Sequence, residues 1–201
     1  LKHAIRFSLY RIGAPSDSGI HIEIVSSIPA ERGMGSSAAV AVAVARGLFA
    51  YYGKYLSDSE LWDIVQSSEK IAHGNPSGID AATTSGQQPV FFIKGQPVEK
   101  IAVNLDACLV VADTGVTGNT REAIKNVETL LIQQKEARNW IMQLGQLTRS
   151  AKDFLASHES VRLGELMDQA QSLLEQLGVS DPALEKLIGA ARDAGALGAK
   201  L

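Results

Sequence analysis

Pro29-Ala30-Glu31-Arg32-Gly33-Met34-Gly35-Ser36-Ser37-Ala38-Ala39 is the stretch that decides the fold of this chain. An alternating apolar run from Ile20 to Ile28 precedes it, and an alanine- and valine-rich run as far as Ala50 follows it. This order predicts a strand, a glycine loop and the start of a buried helix. Glycines let the backbone curl around an anion, and the N–H groups of a first helical turn point towards it. We therefore expect a phosphate-binding loop; a glycine turn with a serine N-cap is the alternative.

The loop differs from two common nucleotide-binding motifs. No lysine follows its second glycine as in a Walker loop, and the G-x-G-x-x-G spacing of a dinucleotide site is absent. The adjacent hydroxyls of Ser36 and Ser37 add side-chain donors and a candidate metal ligand.

Composition limits the class of protein. The 201 residues, 45% of them hydrophobic, suffice for one large domain or two small ones with real cores. A net charge of −3 without a basic run argues against a nucleic-acid surface. The longest apolar stretch, Ala38 to Ala45, is too short to span a bilayer. A single cysteine, Cys108, excludes an internal disulfide framework and suits the reducing cytoplasm, where we expect this protein. Because Cys108 lies in an apolar run, we expect its thiol to be buried and inert.

The periodicity predicts an α/β part followed by a helical part, with the change between residues 85 and 120. Ser57 and Glu60 form a capping box, and Asp181 with Pro182 opens the last helix. Strands are expected over 20–28, 89–94, 98–105 and 108–114, and helices over 1–10, 36–52, 57–72, 120–132, 138–156, 160–177 and 182–194.

Two further stretches could carry chemistry beside the glycine–serine loop. Glu69 and Asp80 stand on either side of a tight turn, and Asp113 to Arg121 brings hydroxyls and a guanidinium to a strand-to-helix junction. Phosphoryl transfer needs an anion cradle, a carboxylate and hydroxyl for Mg²⁺, and a base for the attacking alcohol. Glu69 also lies in a last helical turn, where the dipole disfavours a carboxylate and a partner is expected.

Each of these residues has an ordinary alternative. Glu69 can be a solvated helix residue, and Asp80 can cap the segment that follows it. His73 can be a satisfied core histidine, and Arg121 an exposed residue at a helix start. The spacing of zinc ligands is absent, and no Ser–His–Asp arrangement is legible.

A family resemblance rests on all three stretches. Pro29 to Ala39 resembles the second conserved motif of the GHMP kinases, the superfamily of galactokinase and of homoserine, mevalonate and phosphomevalonate kinases. The run Glu69-Lys70-Ile71-Ala72-His73-Gly74-Asn75-Pro76-Ser77-Gly78-Ile79-Asp80 resembles more narrowly the mevalonate kinase branch, where Glu and Asp flank an H-G-N-P-S-G turn. Asp113 to Arg121 is similar to that branch's D-T-G-V-x-x-x-T-R segment, in its bacterial form.

The resemblance implies a fold and an activity. The fold would be α+β, with an N-terminal α/β domain over residues 1–95, a helix-rich, ferredoxin-like C-terminal domain over residues 96–201, and the active site between them. The activity would be transfer of a phosphoryl group from ATP, with Mg²⁺, to the primary hydroxyl of mevalonate, giving 5-phosphomevalonate early in isoprenoid biosynthesis. No nucleic-acid or membrane partner is implied, and a homodimer is an open alternative.

The same resemblance assigns roles to residues. Ser37 and Glu69 would ligate Mg²⁺, and Asp80 would take the proton from the mevalonate hydroxyl or orient it. Weaker candidates on the substrate side are Ser77, Thr120 and Arg121. The ATP phosphates would lie against the backbone of Gly33, Met34, Gly35, Ser36, Ser37 and Ala38.

Two parts of the family pattern are not in these 201 residues: a first motif with its lysine, and a glycine-rich third motif whose lead-in resembles Gly195 to Leu201. We therefore expect a core fragment of a protein of roughly 300 residues, inactive or nearly so by itself. The alternatives are a phosphomevalonate or homoserine kinase-like enzyme and a non-catalytic, ligand-sensing member of the fold. The presence of both Glu69 and Asp80 argues against the non-catalytic alternative, because a protein that only binds its ligand could lose these carboxylates.

Overall fold

Helices dominate the computed structural model, which describes residues 1–15, 17, 19–29, 32–74, 76–116 and 120–201, apart from the side chains of His73 and Arg121. These residues divide into two units, Leu1–Lys100 and Ile101–Leu201. Of the described helices, none has the length and hydrophobicity that a membrane crossing requires. The domain boundary after residue 95 stays a prediction.

The described part of the first unit forms four helices and one small antiparallel hairpin. In the hairpin, Val90 pairs with Lys100 and Phe91 with Glu99. The elements are α1 (Lys2–Ile12), α2 (Ser36–Tyr51), α3 (Asp58–His73), α4 (Ile79–Ser85), β1 (Val90–Phe91) and β2 (Glu99–Lys100).

Helix α2 is the centre of this unit, since α1, α3 and α4 all pack against it. Its buried side chains include Ala38, Ala41 and Ala45, whose small size lets neighbouring helices approach closely. From α3, Ile64 and Val65 are fully buried in the same core. The predicted buried helix after the glycine loop is therefore confirmed.

The predicted capping box at the start of α3 is confirmed too. The Ser57 Oγ accepts the Glu60 N–H at 3.3 Å, and the Ser57 N–H donates to Glu60 Oε2 at 3.2 Å. The Ser57 hydroxyl, followed by its backbone N–H, holds the pKa of the Glu60 carboxyl below its ordinary value, and burial opposes them weakly. The cap therefore stabilises α3 above the unfolded-state pKa of this carboxyl and loses that contribution as the pH falls through the folded-state pKa.

The strand predictions are largely wrong. In the described residues, neither 20–28 nor 108–114 forms a strand, and Val25 is 88% exposed. Pairing over 89–94 and 98–105 is limited to the two residues of β1 and of β2. A strand exists only when a neighbour completes its ladder, and the pattern of one segment cannot supply that neighbour. For the same reason Cys108, expected to be buried, is exposed.

The described part of the second unit is helical, and the helix Glu136–Ala156 packs against the helix Ser160–Gln176. Asp181 Oδ1 accepts the N–H groups of Ala183 at 2.8 Å and Leu184 at 3.0 Å, with Pro182 at the first helical position, as predicted. The four helices predicted for this part of the chain are all confirmed: α5 (Thr120–Gln133), α6 (Glu136–Ala156), α7 (Ser160–Gln176) and α8 (Pro182–Asp193).

The chain after α8 folds back onto α7 in direct backbone contact. A Cβ added to Gly164, which is buried within α7, would overlap the carbonyl oxygen of Leu197. A Cβ added to Gly198 would overlap the carbonyl oxygen of Gly164. Only glycine permits this approach at both positions.

Two polar side chains of α7 also accept hydrogen bonds from the backbone of this segment. Asp168 Oδ1 accepts the Ala199 N–H at 3.0 Å as well as the guanidinium of Arg192. The amide oxygen of Gln171, which is fully buried, accepts the Leu201 N–H at 2.9 Å. The last residues therefore belong to the packed structure of this unit.

We expect Gly164→Ala to lower the free energy of unfolding by about 1–3 kcal/mol, because the new methyl group overlaps the backbone at Leu197. Gly189→Ala on α8 is the matched control: among the described residues, no neighbouring atom lies within 4 Å of its added Cβ, so we expect no loss and a gain of up to about 1 kcal/mol. Urea denaturation of both variants measures the difference. Equal stabilities would show that the segment does not pack against α7.

Candidate functional site

A hydrogen bond joins the glycine–serine loop to the end of α3. The Ser37 Oγ, in the first turn of α2, donates to Glu69 Oε1 at 2.7 Å. Glu69 is only 3% exposed, whereas Ser37 is exposed. Glu69 is therefore not a solvated helix residue, and Ser37 is one partner of the carboxylate that the last turn of α3 disfavours.

The glycine loop ends in left-handed backbone. Gly33 has φ +70° and Gly35 has φ +66°, conformations that side chains with a Cβ rarely adopt. Gly35 is the N-cap of α2, and no side chain in the described structure caps this helix, so the alternative of a serine N-cap is wrong. The first intrahelical bond runs from the Ala39 N–H to the Gly35 carbonyl at 2.9 Å. The amides before Ala39 therefore lack a helical partner and face the loop end.

The dipole of α2 favours an anion at this helix end. The first turn of α2 reads Ser-Ser-Ala-Ala and carries no carboxylate of its own. The positive end of the helix dipole is therefore not neutralised from within α2. Ala38 is fully buried beneath this turn, and Met34 in the loop is exposed.

Asp80 lies beside the same loop. A Cβ added to Gly35 would lie 3.7 Å from Asp80 Oδ1 and 3.4 Å from Thr84 Cγ2. Asp80 belongs to α4, a short helix that begins at the end of the predicted tight turn and was not itself predicted. Its N-cap is Gly78, and Asp80 lies inside the first turn, so the alternative role of Asp80 as a cap is wrong. Its carboxylate is exposed.

The three residues predicted to lie on the substrate side are Ser77, Thr120 and Arg121. Ser77 is exposed in the turn before α4, and its Oγ accepts the Ile79 N–H at 3.3 Å. Thr120 is exposed at the start of α5, in the second unit. The side chain of Arg121 and the loop residues before Thr120 lie outside the described residues.

A metal ion at this site would draw few ligands from the protein. Among the residues that the structure describes, no group of three or more His, Cys, Asp or Glu side chains could hold a metal. The Ser37 hydroxyl and the Glu69 carboxylate are nevertheless two hard oxygen donors side by side. Mg²⁺ commonly takes one or two protein oxygens and fills its shell with water and substrate phosphates, so this pair fits Mg²⁺.

Sequence reasoning missed one polar contact around α4. Arg46 Nη2 donates to the Ser85 carbonyl at 2.7 Å, at the last residue of α4. Arg46 is the single charged residue in the otherwise apolar sequence of α2, and this feature of the sequence could have indicated a specific polar partner.

A separate cavity of about 510 Å³ lies between α6 and α7 of the second unit. Its lining contains amides, a hydroxyl and two leucines, and none of these is a nucleophile activated by a base or a titratable pair. We therefore place the candidate site at the glycine–serine loop. The cavity is lined by Gln143, Gln146, Leu147, Gln169, Ser172 and Leu173.

Comparison with known families yields two matches. The pattern described as GHMP kinases N terminal domain matches residues 1–87. The pattern described as GHMP kinases C terminal matches residues 151–201. The glycine–serine loop, Glu69 and Asp80 all lie within the first match.

Two curated relatives are mevalonate kinases from other organisms. The chain is 38% identical over 182 residues to the mevalonate kinase of Aeropyrum pernix, covering 90% of this chain and 56% of the relative. It is 34% identical over 207 residues to the mevalonate kinase of Pyrococcus abyssi, covering 100% of this chain and 61% of the relative. The chain thus spans a little over half the length of the curated relatives it matches.

Solved structures agree on the fold. A crystal structure of L. major mevalonate kinase in complex with R-mevalonate has a TM-score of 0.79 at 24% identity and covers 99% of this chain and 63% of that one. The mevalonate kinase from methicillin-resistant Staphylococcus aureus has a TM-score of 0.63 at 34% identity and covers 87% of this chain and 56% of that one.

We expect Ser37→Ala to lower the free energy of unfolding by about 1–3 kcal/mol, because a buried carboxylate loses a hydrogen-bond donor. Ser36→Ala is the matched control, since the described structure gives no bond from Ser36 to Glu69, and we expect it to stay within about 0.5 kcal/mol of the parent. Urea denaturation of the three proteins measures this. If the two variants are equally stable, the Ser37–Glu69 bond does not contribute to folding.

Proposed function

The chain belongs to the GHMP kinases, and on that premise we propose that it is the core of a mevalonate kinase. The enzyme would transfer the γ-phosphoryl group of ATP to the primary hydroxyl of mevalonate and form 5-phosphomevalonate, early in isoprenoid biosynthesis. The observation that carries the proposal is the convergence of the glycine–serine loop, the Ser37–Glu69 pair and Asp80 at the start of α2. The names of the relatives supply the acceptor.

The loop would hold the ATP phosphates. The left-handed glycines Gly33 and Gly35 allow close backbone approach, and the first turn of α2 presents amides with no helical partner. Together with the dipole of α2, whose first turn carries no carboxylate of its own, these groups are typical of a phosphate cradle. The backbone from Gly33 to Ala38 is the proposed contact.

Ser37 and Glu69 would hold Mg²⁺ between the protein and the phosphates. When bound, Mg²⁺ neutralises the charge that develops on the phosphate oxygens during transfer. The chain contributes the hydroxyl and the carboxylate oxygens, and the burial of Glu69 keeps that carboxylate in one place.

Asp80 would act on the acceptor alcohol. As the hydroxyl oxygen of mevalonate attacks the γ-phosphorus, its proton passes to a carboxylate oxygen of Asp80, and the bond from phosphorus to the bridging oxygen of ADP breaks. The exposure of Asp80 leaves its carboxylate accessible to a substrate, and its position beside Gly35 places it near the proposed phosphate cradle. Ser77, Thr120 and Arg121 are proposed substrate contacts on the resemblance alone. A cytoplasmic location and a homodimer stay predictions.

The proposed function is tested by measuring ADP release from ATP by the complete protein with mevalonate, phosphomevalonate and homoserine as separate acceptors. Release that depends on mevalonate supports the proposal. Release with another acceptor retains the phosphoryl-transfer chemistry and overturns the substrate. Tight ATP binding without release for any acceptor points to a non-catalytic, ligand-sensing protein.

We expect Asp80→Asn in the complete protein to lower kcat by roughly 10²–10⁴, the usual contribution of an acid–base group, and to leave ATP affinity nearly unchanged. Asp58→Asn, in the first turn of α3, is the control for loss of one exposed carboxylate from a helix start. Steady-state kinetics and equilibrium nucleotide binding measure the two effects. Unchanged kcat in Asp80→Asn would contradict the role of Asp80.

We expect Glu69→Gln to raise the Mg²⁺ concentration needed for half-maximal turnover by about tenfold or more, because an amide is a weaker ligand than a carboxylate. Asp63→Asn, which removes an exposed carboxylate from the same helix, is the control. A Mg²⁺ titration of the rate at saturating ATP measures the shift. The same Mg²⁺ requirement in Glu69→Gln and the parent would exclude Glu69 as a ligand.

A further inference from the structure

Two aromatic rings close on the glycine that begins α4. Gly78, the N-cap of α4, is buried and has φ +98°. A Cβ added to it would lie 3.1 Å from Cη2 of Trp62 and 3.4 Å from Cζ of Phe92. Trp62 comes from α3, and Phe92 directly follows β1. The two rings therefore pack closely against the Gly78 backbone, so an added side chain would press against both of them.

Helix α4 needs such contacts because it is too short to hold its own position. It has seven residues, about two turns, and isolated helices of this length are unstable in water. Its N-cap is a glycine without a side chain, and the bond from the Ile79 N–H to the Ser77 Oγ is a local one that joins α4 to no other element. The hydroxyls of Thr83 and Thr84 donate to carbonyls of the preceding turn, which adds no contact to another element.

Contacts from other elements therefore determine where α4 lies. At its C-terminal end, Arg46 from α2 binds the Ser85 carbonyl at 2.7 Å. On its inner face, Ala81 is fully buried in the core. At its N-terminal end, the rings of Trp62 and Phe92 contact Gly78 and so also fix the position of α4.

We propose that Trp62 and Phe92 are positioning residues for Asp80. Asp80 follows Gly78 by two residues in the first turn of α4, so a shift of the Gly78 backbone moves the Asp80 carboxylate relative to the glycine–serine loop. The kinetic consequence rests on the proposed function. Misplacement of a catalytic group by about 1 Å can reduce the rate roughly 10²-fold, so loss of a ring is sufficient to reduce turnover without touching the substrate.

The kinetic test combines Trp62→Ala with Asp80→Asn in the complete protein. We expect Trp62→Ala alone to lower kcat by about 10–100-fold with little change in the KM for ATP, and Trp62→Phe to restore most of the loss. In the Asp80→Asn background, Trp62→Ala should lower kcat by no more than about threefold, because the group it positions is already gone. Trp140→Ala, on α6 of the second unit, is the control tryptophan. Equal losses in both backgrounds would overturn the proposal.

A second test does not depend on catalysis. We expect Trp62→Ala to accelerate amide hydrogen exchange in α4, including the Ala82 N–H that donates to the Gly78 carbonyl at 2.9 Å, and to leave exchange in α2 unchanged. Unchanged exchange in α4, or equal acceleration across α2 and α4, would overturn the positioning role. If the complete protein phosphorylates no acceptor, the proposed function fails, and the exchange measurement still decides whether the rings hold α4.

Discussion

The first unit depends on the close packing of α2 against three other helices. Alanines at positions 38, 41 and 45 remove the bulk that would hold these helices apart. Because α2 begins immediately after the glycine loop, any element that packs against its first turns is brought to that loop. The last turn of α3 and the first turn of α4 both approach the loop, so one packing arrangement assembles the whole candidate site.

The two carboxylates of the site differ in environment. Glu69 is buried and hydrogen-bonded to Ser37, which suits a group that stays in place through each turnover. Asp80 is exposed beside Gly35, which suits the role proposed for it, that of a group that meets an incoming alcohol. Burial of a carboxylate is unfavourable unless polar partners compensate it, so a buried carboxylate near the end of a helix is the more unusual of the two.

In the second unit, direct backbone contact holds the segment that follows α8 against α7. Gly164 and Gly198 meet without side chains between them, and Asp168 and Gln171 accept N–H groups from the segment that follows α8. Partial desolvation of the Lys200 ammonium in this segment lowers its pKa, although the residue as a whole is exposed. Van der Waals contact and paired backbone groups together hold a stretch that has no secondary structure of its own.

Local features of this protein were determined by the sequence alone. The capping box at Ser57, the Asp181–Pro182 helix start and the long helices follow from interactions within a few residues, and the α+β fold of the GHMP kinases followed from its motifs. Tertiary structure alone decided which distant groups meet: the burial of Glu69, the existence of α4, the rings of Trp62 and Phe92 against Gly78, and the absence of pairing over 20–28 in the described residues. The physical reason is that a helix closes its own hydrogen bonds, whereas a strand, a buried charge and a two-turn helix each depend on partners far away in the chain.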